Sequence, residues 1–312
     1  MAYKNLDEAK KAEAAFFDQV AEVRTTDGHI PCEADMRRAT RVVARNRGDL
    51  QVDPTTVAIL ARGARERFID AVAHRPGGRV LDICCGPGWL ALELARRGQH
   101  VDAYDLSSKA IAVAKQMLDE NPFTEGFGSV SYHLQDVTEV DLGENTYDAV
   151  SGWSAFHHLP DLDGFMKRVW RALRPGGIVA TMDDMPTGGL EKWLAYGINF
   201  VLPIYALTYQ QKIAIAFRRL LGLSRFPDEV FSPMEEEKHS SVEDIARIWH
   251  DQYEVILEYR QNAFSGGPLM MLSGPDGFRY PTARAIVGID ALLCRMGVVN
   301  GFERIMIGRK RT

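Results

Sequence analysis

The 312-residue chain has few cysteines and no excess of positive charge. Its cysteines, Cys32, Cys84, Cys85 and Cys294, show no C-x-x-C spacing, and adjacent cysteines seldom have the geometry that a disulfide needs. We therefore expect reduced thiols and a cytoplasmic protein. The formal net charge of -5 argues against a nucleic-acid-binding protein, because such domains are usually basic.

The sequence also lacks an apolar run that would make a good transmembrane helix. Its most apolar stretch, residues 193–209, is interrupted by Asn199 and Pro203, and a spanning helix needs about 20 apolar residues. Residues 1–20 are charged and amphipathic, without the apolar centre of a signal peptide. The composition of the chain is that of an ordinary globular protein, with 46% hydrophobic and 25% charged residues, and the sequence contains no internal repeat.

Helical patterns fill the first 75 residues. Helices are predicted over residues 7–23, 34–45 and 52–73. In the first of them, the apolar positions near helical spacing are Ala15, Phe16, Val20 and Val23. In the third, Asp53 is a candidate N-cap and Pro54 suits the first helical position. We treat residues 1–75 as a helical N-terminal cap.

From residue 76 to residue 184, short apolar strands alternate with helical segments. Strands are predicted over residues 79–83, 100–104, 129–134, 147–153 and 178–182, and two more over residues 253–264 and 302–310. The turn "RPGG" is expected to precede the fifth strand. Such alternation favours an α/β fold, a doubly wound and mostly parallel sheet with helices on both faces. The last strand is expected to form an antiparallel hairpin with the strand before it.

Two insertions interrupt the later part of this pattern, at residues 185–239 and within 240–312 at residues 265–299. The first has the pattern of a helical lid. It is rich in large apolar residues, namely Trp193, Tyr196, Phe200, Tyr205 and Phe217. As a lid it would line an apolar pocket together with Phe16 and Phe17, which favours a small hydrophobic or aromatic substrate. The alternatives are that this face packs on the sheet, on a second subunit of a homodimer, or on a membrane surface.

The loop after the first strand carries a glycine fingerprint. Gly86-x-Gly88-x-x-Ala91 follows the strand, and Asp105 ends the second strand, where a carboxylate can accept hydrogen bonds from a ribose diol. Because ligands bind at the carboxyl ends of strands in open α/β sheets, this loop is a candidate nucleoside site. These two features alone would also fit an NAD-dependent oxidoreductase.

Three further features favour a different cofactor. Asp82 lies within the first strand, where a carboxylate would repel a pyrophosphate and suit a cation. Asp136 ends the third strand, where it can accept from an adenine amino group. The fourth strand ends in "GWSAFHHLPD", which adds an aromatic residue and two histidines at the same edge.

Together these segments resemble the class I S-adenosylmethionine-dependent methyltransferases. The matching stretches lie within residues 79–184: "VLDICCGPGWLALELARRG", "VDAYDLS", "LQDVTEV", "YDAVSGWSAFHHLPD" and "LRPGGIVATMDD". The resemblance implies a Rossmann-like, seven-stranded, mostly parallel sheet with an antiparallel last strand. It also implies that S-adenosylmethionine is bound by Asp82, Cys84, Gly86, Gly88, Asp105, Leu106, Asp136, Val137 and Trp153. Cys84 stands where the family has the first glycine of its loop.

Methyl transfer to a hydroxyl is helped by a base, for which histidine is suited near neutral pH. The resemblance favours His158, with His157 beside it; His239 is a further candidate. Asp183 and Asp184 could hold a divalent cation, but no third ligand stands at a telling spacing, so no metal is expected. We predict methylation of a small hydrophobic molecule at oxygen. The alternatives are transfer of the methyl group to carbon or nitrogen, a non-methylating reaction such as a cyclisation, and the reaction of an NAD-dependent oxidoreductase.

Overall fold

A computed structural model describes residues 6–26, 54–61, 63–121, 124–185, 188–221, 232–233 and 242–311. Three of the sequence predictions lie outside these residues: the helix over 34–45, the cap at Asp53 and the candidate base His239.

One sheet of seven strands organises the described residues. The strands are β1 (Arg79–Ile83), β2 (His100–Asp105), β3 (Ser129–Leu134), β4 (Tyr147–Trp153), β5 (Leu173–Asp184), β6 (Tyr253–Gln261) and β7 (Glu303–Lys310). Their order is β3-β2-β1-β4-β5-β7-β6. Six of these strands run in one direction, and β7 runs in the opposite direction. The predicted Rossmann-like sheet, its antiparallel last strand and the hairpin of the last two strands are confirmed. The order reverses between β1 and β4, which places a ligand site at the carboxyl ends of these two strands.

The helices follow the predicted alternation. They are α1 (Leu6–Thr26), α2 (Pro54–Ala61), α3 (Ala64–Val72), α4 (Trp89–Arg96), α5 (Ser108–Asp119), α6 (Leu162–Ala172), α7 (Gly189–Val201), α8 (Tyr209–Leu220), α9 (Val242–Gln252), α10 (Gly266–Met270) and α11 (Asp276–Arg295). Ser107 caps α5, since its hydroxyl accepts from the Ala110 amide at 3.0 Å.

Two local predictions are wrong. The helix expected over residues 52–73 is divided into α2 and α3, because Gly63 has a φ of 69° and the left-handed backbone interrupts the helix. The "RPGG" turn is instead part of β5, which begins at Leu173. Leu173 pairs with Tyr147 and Ile178 pairs with Ala149, so the extra residues of β5 bulge out of the ladder.

Apolar side chains cover both faces of the sheet. Leu81, Val150 and Phe156 belong to a core on one face, and Val80, Phe68 and Ala180 to a core on the other. Because apolar side chains cover both faces of the sheet, the polar groups that could bind a ligand lie at the ends of the strands. Across the described ranges, every helix is too short or too polar to traverse a lipid bilayer.

Candidate active site

The loop after β1 turns sharply through left-handed backbone. Cys84 has a φ of 47°, Gly86 of 53° and Gly88 of 77°. A positive φ is unfavourable for a side chain with a Cβ atom, which explains why the methyltransferase pattern has glycine where this chain has Cys84. The loop is fixed by the Cys85 amide, which donates to the Tyr104 carbonyl at 2.9 Å, and by the Gly88 amide, which donates to the Cys85 carbonyl at 3.0 Å.

The two glycines of the loop serve different purposes. A Cβ atom on Gly88 would lie 2.4 Å from the Tyr132 hydroxyl of β3 and 2.7 Å from the Ala114 Cβ of α5, so glycine is needed there for close packing of the loop against these two elements. A Cβ atom on Gly86 would meet nothing within 4 Å. Gly86 therefore keeps the surface of the loop open, as a close approach by a ligand requires.

This difference predicts unequal effects of two alanine substitutions. Gly88→Ala combines a steric clash with backbone strain and should lower the free energy of unfolding by about 3 kcal/mol or more. Gly86→Ala adds backbone strain alone and should lower it by about 1 kcal/mol. Chemical denaturation of both variants measures the effects. Equal losses would contradict the packing role of Gly88.

Asp82 is a buried carboxylate with one oxygen unsatisfied. Its Oδ1 accepts from the Ser151 hydroxyl at 3.1 Å, while Oδ2 is buried without a hydrogen-bond donor among the described residues. Burial, with a smaller effect of the nearby Asp105, raises the pKa of Asp82 to about 8. A buried carboxylate oxygen of this kind fits a cationic group bound at the end of β1.

Asp105 holds the glycine loop and the start of α5 together. Its Oδ2 accepts from the Gly86 amide and its Oδ1 from the Ser107 amide, each at 2.8 Å. Burial raises the pKa of Asp105, although both amide hydrogen bonds act in the opposite direction. A carboxylate has about four acceptor positions, so Asp105 keeps capacity for the hydroxyls of a ribose.

The predicted adenine end of the site lies beside the N-terminal helix. Asp136 accepts from the Thr138 amide at 2.8 Å and forms an ion pair with Lys10 of α1 at 2.5 Å. Burial alone would raise the pKa of Asp136, but the contacts with Lys10 and Thr138 outweigh it and lower the pKa. Val137 is buried in the core, and Leu106 is half-buried.

Trp153 ends β4 within an aromatic group. Its ring makes edge contacts with Phe68 at 5.2 Å and with Trp89 at 5.1 Å between centroids. The Arg65 guanidinium lies 5.8 Å from the Trp153 ring. Trp89 begins α4 directly after Gly88, so Trp153 is adjacent to the glycine loop while much of its surface is used in packing.

His158 is held by a carboxylate from α1. Its Nδ1 lies 2.7 Å from Glu13 Oε1, and the Ser232 hydroxyl donates to the same carboxylate oxygen at 2.9 Å. The ring also makes an edge contact with Phe17, 5.5 Å between centroids. In a neutral imidazole that donates from Nδ1, Nε2 carries the basic lone pair, so this arrangement suits a general base.

His157 forms a second histidine–carboxylate pair. Its Nδ1 lies 2.5 Å from Oδ1 of Asp183, and the Thr181 hydroxyl donates to Oδ2 of the same carboxylate. Asp183 is fully buried near the end of β5. The rings of His157 and His158 are 4.2 Å apart, so the first pair packs directly on the second. Within the described part of the chain, no three His, Cys, Asp or Glu residues are grouped as a metal site would require.

The site is strongly acidic around Cys84. Burial, followed by the carboxylates of Asp105, Glu13, Asp136 and Asp82, raises the pKa of the Cys84 thiol well above its ordinary value. The thiol is therefore kept in its protonated form. Carboxylates gathered at one loop disfavour a bound pyrophosphate and favour a ligand that carries positive charge, as the sulfonium and amino groups of S-adenosylmethionine do.

Three polar residues of α1 complete the site, and the sequence reasoning did not identify them. Besides Lys10 and Glu13, Asp18 accepts from the Ser107 hydroxyl at 2.6 Å and from the Lys109 amide at 3.0 Å. The buried face of α1 is also different from the one predicted, since Ala15 is exposed. The signal in the sequence is the spacing of Lys10, Glu13 and Phe17, which puts these side chains on one helical face.

Three described residues of the expected apolar wall lie at the surface. Trp193 is 59% exposed, Tyr205 56% and Phe217 61%, so these side chains lie at the surface rather than around a pocket. The prediction that they line a substrate pocket is wrong for these three residues.

Comparisons with known proteins agree with this geometry. Residues 80–177 match the family described as a methyltransferase domain. The chain is 30% identical over 154 residues to a demethylmenaquinone methyltransferase of Desulfitobacterium hafniense, covering 46% of this chain and 58% of that protein. It is 33% identical over 112 residues to a ubiquinone biosynthesis O-methyltransferase of Methylocella silvestris, covering 35% and 42%. The chain thus spans about half the length of the relatives it matches.

A solved structure shares the fold over nearly the whole chain. The crystal structure of the [4+2]-cyclase SpnF superimposes with a TM-score of 0.50 at 14% identity, covering 95% of this chain and 96% of that one. At this identity the likeness concerns the fold alone. Residues 80–177 thus match a methyltransferase domain, and the sheet order and the acidic loop fit S-adenosylmethionine as its cofactor.

Proposed function

We propose that the protein methylates an oxygen atom of a small hydrophobic molecule. The observation that carries this proposal is the Glu13–His158 pair, a carboxylate-oriented imidazole next to the acidic cofactor loop. A hydroxyl acceptor must lose a proton as it is methylated, and such an imidazole can take it.

The cofactor, when bound, supplies an activated methyl group on a sulfonium. The residues of the chain provide its position and environment. Asp82 offers a buried oxygen to a cationic group, Asp105 offers its remaining acceptor positions to the ribose, and Asp136 with Val137 and Leu106 borders the adenine region. His158 accepts the proton from the acceptor, Glu13 positions its ring, and His157 with Asp183 supports it from behind.

Two observations support an aromatic or quinone-like acceptor. Phe17 packs against His158, and Phe16 makes an edge contact with Phe17 at 5.2 Å, so the candidate base has aromatic neighbours. In addition, the names of the two relatives above refer to demethylmenaquinone and to O-methylation in ubiquinone biosynthesis.

Ligand binding and product mass test the proposal. Calorimetry should show tight binding of S-adenosylhomocysteine and none of NAD, because the acidic loop disfavours a pyrophosphate. A screen of phenols and quinols with S-adenosylmethionine should release S-adenosylhomocysteine and give a product heavier by one methylene group. Binding of NAD alone would overturn the proposal. A product of unchanged mass would favour a cyclisation, and a methylated carbon or nitrogen would replace oxygen as the acceptor atom.

A further inference from the structure

One segment of this acidic chain carries only positive charge. Between residues 192 and 227 there is no aspartate or glutamate, although the chain has a formal net charge of -5. The charged residues of the segment are Lys192, Lys212, Arg218, Arg219 and Arg225. The segment contains all of α8 and most of α7, the two helices inserted after β5. The charge of this segment therefore favours an anionic partner, and Arg218 is exposed to meet one.

Helix α8 exposes its apolar side chains and buries its lysine. Tyr209, Ile213, Phe217 and Leu221 follow one another at four-residue spacing, which places them on one face; we call them the α8 stripe. They are 52%, 59%, 61% and 55% exposed, respectively. Lys212 is turned inward, where its ammonium donates to the Leu202 carbonyl and lies 4.6 Å from the Tyr209 ring. The helix thus presents its apolar side to its surroundings, the reverse of an ordinary surface helix.

The α8 stripe continues onto the end of α7. The Tyr209 hydroxyl donates to the Val201 carbonyl at 2.8 Å, and the Val201 side chain is 67% exposed. Tyr205 lies between the two helices and is also exposed. Tyrosine is typical of the level at which a membrane meets water, because its ring is apolar and its hydroxyl is polar.

We propose that the α8 stripe binds the surface of a bilayer that contains anionic lipids. The stripe would enter the boundary between headgroups and acyl chains, and Arg218, exposed beside Phe217, would contact the anionic headgroups. A second copy of the chain is disfavoured as the occupant, because a symmetric pairing of α8 would bring the basic groups of both copies together.

Vesicle co-sedimentation with the full chain tests this inference. The parent should sediment with phosphatidylglycerol-containing vesicles and much less with pure phosphatidylcholine. Ile213→Glu should reduce the bound fraction about tenfold, because it removes an apolar side chain that would enter the bilayer and adds a negative charge that anionic lipids repel. Ile256→Glu is the matched control: this isoleucine is 46% exposed near the beginning of β6, away from α8, and the substitution should leave binding unchanged.

Charge reversal and oligomeric state complete the experiment. Arg218→Glu should weaken binding to anionic vesicles, and high salt should do the same to the parent. All variants should keep their affinity for S-adenosylhomocysteine, so a loss of vesicle binding reports on the surface alone. Failure of the parent to bind anionic vesicles, equal loss in the two isoleucine variants, or a dimer that Ile213→Glu dissociates would overturn the inference.

Discussion

Asp82→Asn should weaken cofactor binding by about 100-fold or more, because it removes a buried charge whose partner is the cationic cofactor. Asparagine keeps the shape of the side chain and can still accept from Ser151. The measurement is calorimetry with S-adenosylmethionine and S-adenosylhomocysteine. In the parent, the affinity should rise with pH up to about 8, since the pKa of Asp82 is raised to about 8 and only the ionised carboxylate pairs with a cation.

The same substitution should change how the stability of the cofactor-free protein depends on pH. A carboxylate whose pKa is raised on folding contributes stability that is complete below its unfolded pKa and is lost as pH rises towards the folded pKa. Between pH 5 and pH 8 the parent should therefore lose stability relative to Asp82→Asn, by about 1.4 kcal/mol per pH unit. Denaturant unfolding of both proteins at several pH values measures this difference.

Asp148→Asn is a matched control at the opposite end of the sheet. Asp148 accepts from the Arg79 amide at 2.9 Å and from the Arg75 guanidinium at 2.8 Å. Burial would raise the pKa of Asp148, but these contacts and the charge of Arg174 outweigh it and lower the pKa. Its contribution to stability is present above the unfolded pKa and is lost as pH falls. This variant should lose stability at neutral pH and keep its cofactor affinity; unchanged affinity in Asp82→Asn would contradict the cationic site.

His158→Ala should lower kcat by about 100-fold or more with a hydroxyl acceptor, because the general base is removed. Affinity for S-adenosylhomocysteine should stay within about twofold, since the assigned cofactor contacts are made by other residues. Glu13→Gln should lower kcat by a smaller factor, because it disturbs only the orientation of the ring. The measurement is release of S-adenosylhomocysteine with the acceptor found in the screen.

Lys10→Met is a control that distinguishes the effect of losing the base from the effect of loosening α1. Lys10 is on the same helix as Glu13 but contacts Asp136 and Glu139 instead of His158. Its replacement should weaken cofactor affinity and leave kcat at saturating cofactor nearly unchanged. If His158→Ala turns over at the parental rate at every pH, His158 is not the base.

The sequence predicted the parts of the molecule that depend on local patterns. Asp105 ends β2 as expected, because the end of a strand is determined by a few neighbouring residues. The division of a predicted helix at Gly63 could not be foreseen, since glycine inside a helix is tolerated in many contexts. The bulge in β5 follows from its pairing with β4, which no local pattern in "RPGG" reveals.

The polar contacts of α1 were not predictable for a different reason. Glu13 meets a histidine that is 145 positions away in the chain, and Lys10 meets Asp136 across a similar separation. Periodicity distinguished apolar from polar positions, but it could not indicate that a glutamate would be buried on the packed face. A buried glutamate is stable there because His158 and Ser232 donate to it.

Helix α1 bears on how this protein can be shortened. Its contacts reach the loops after β2, β3 and β4, through Asp18, Lys10 and Glu13 respectively. All three lie outside residues 80–177, the part that matches the methyltransferase family. A fragment trimmed to the matched domain would retain the glycine loop and both histidines. It would lose Glu13, the carboxylate that orients His158. The candidate active site therefore extends beyond the residues that match the family.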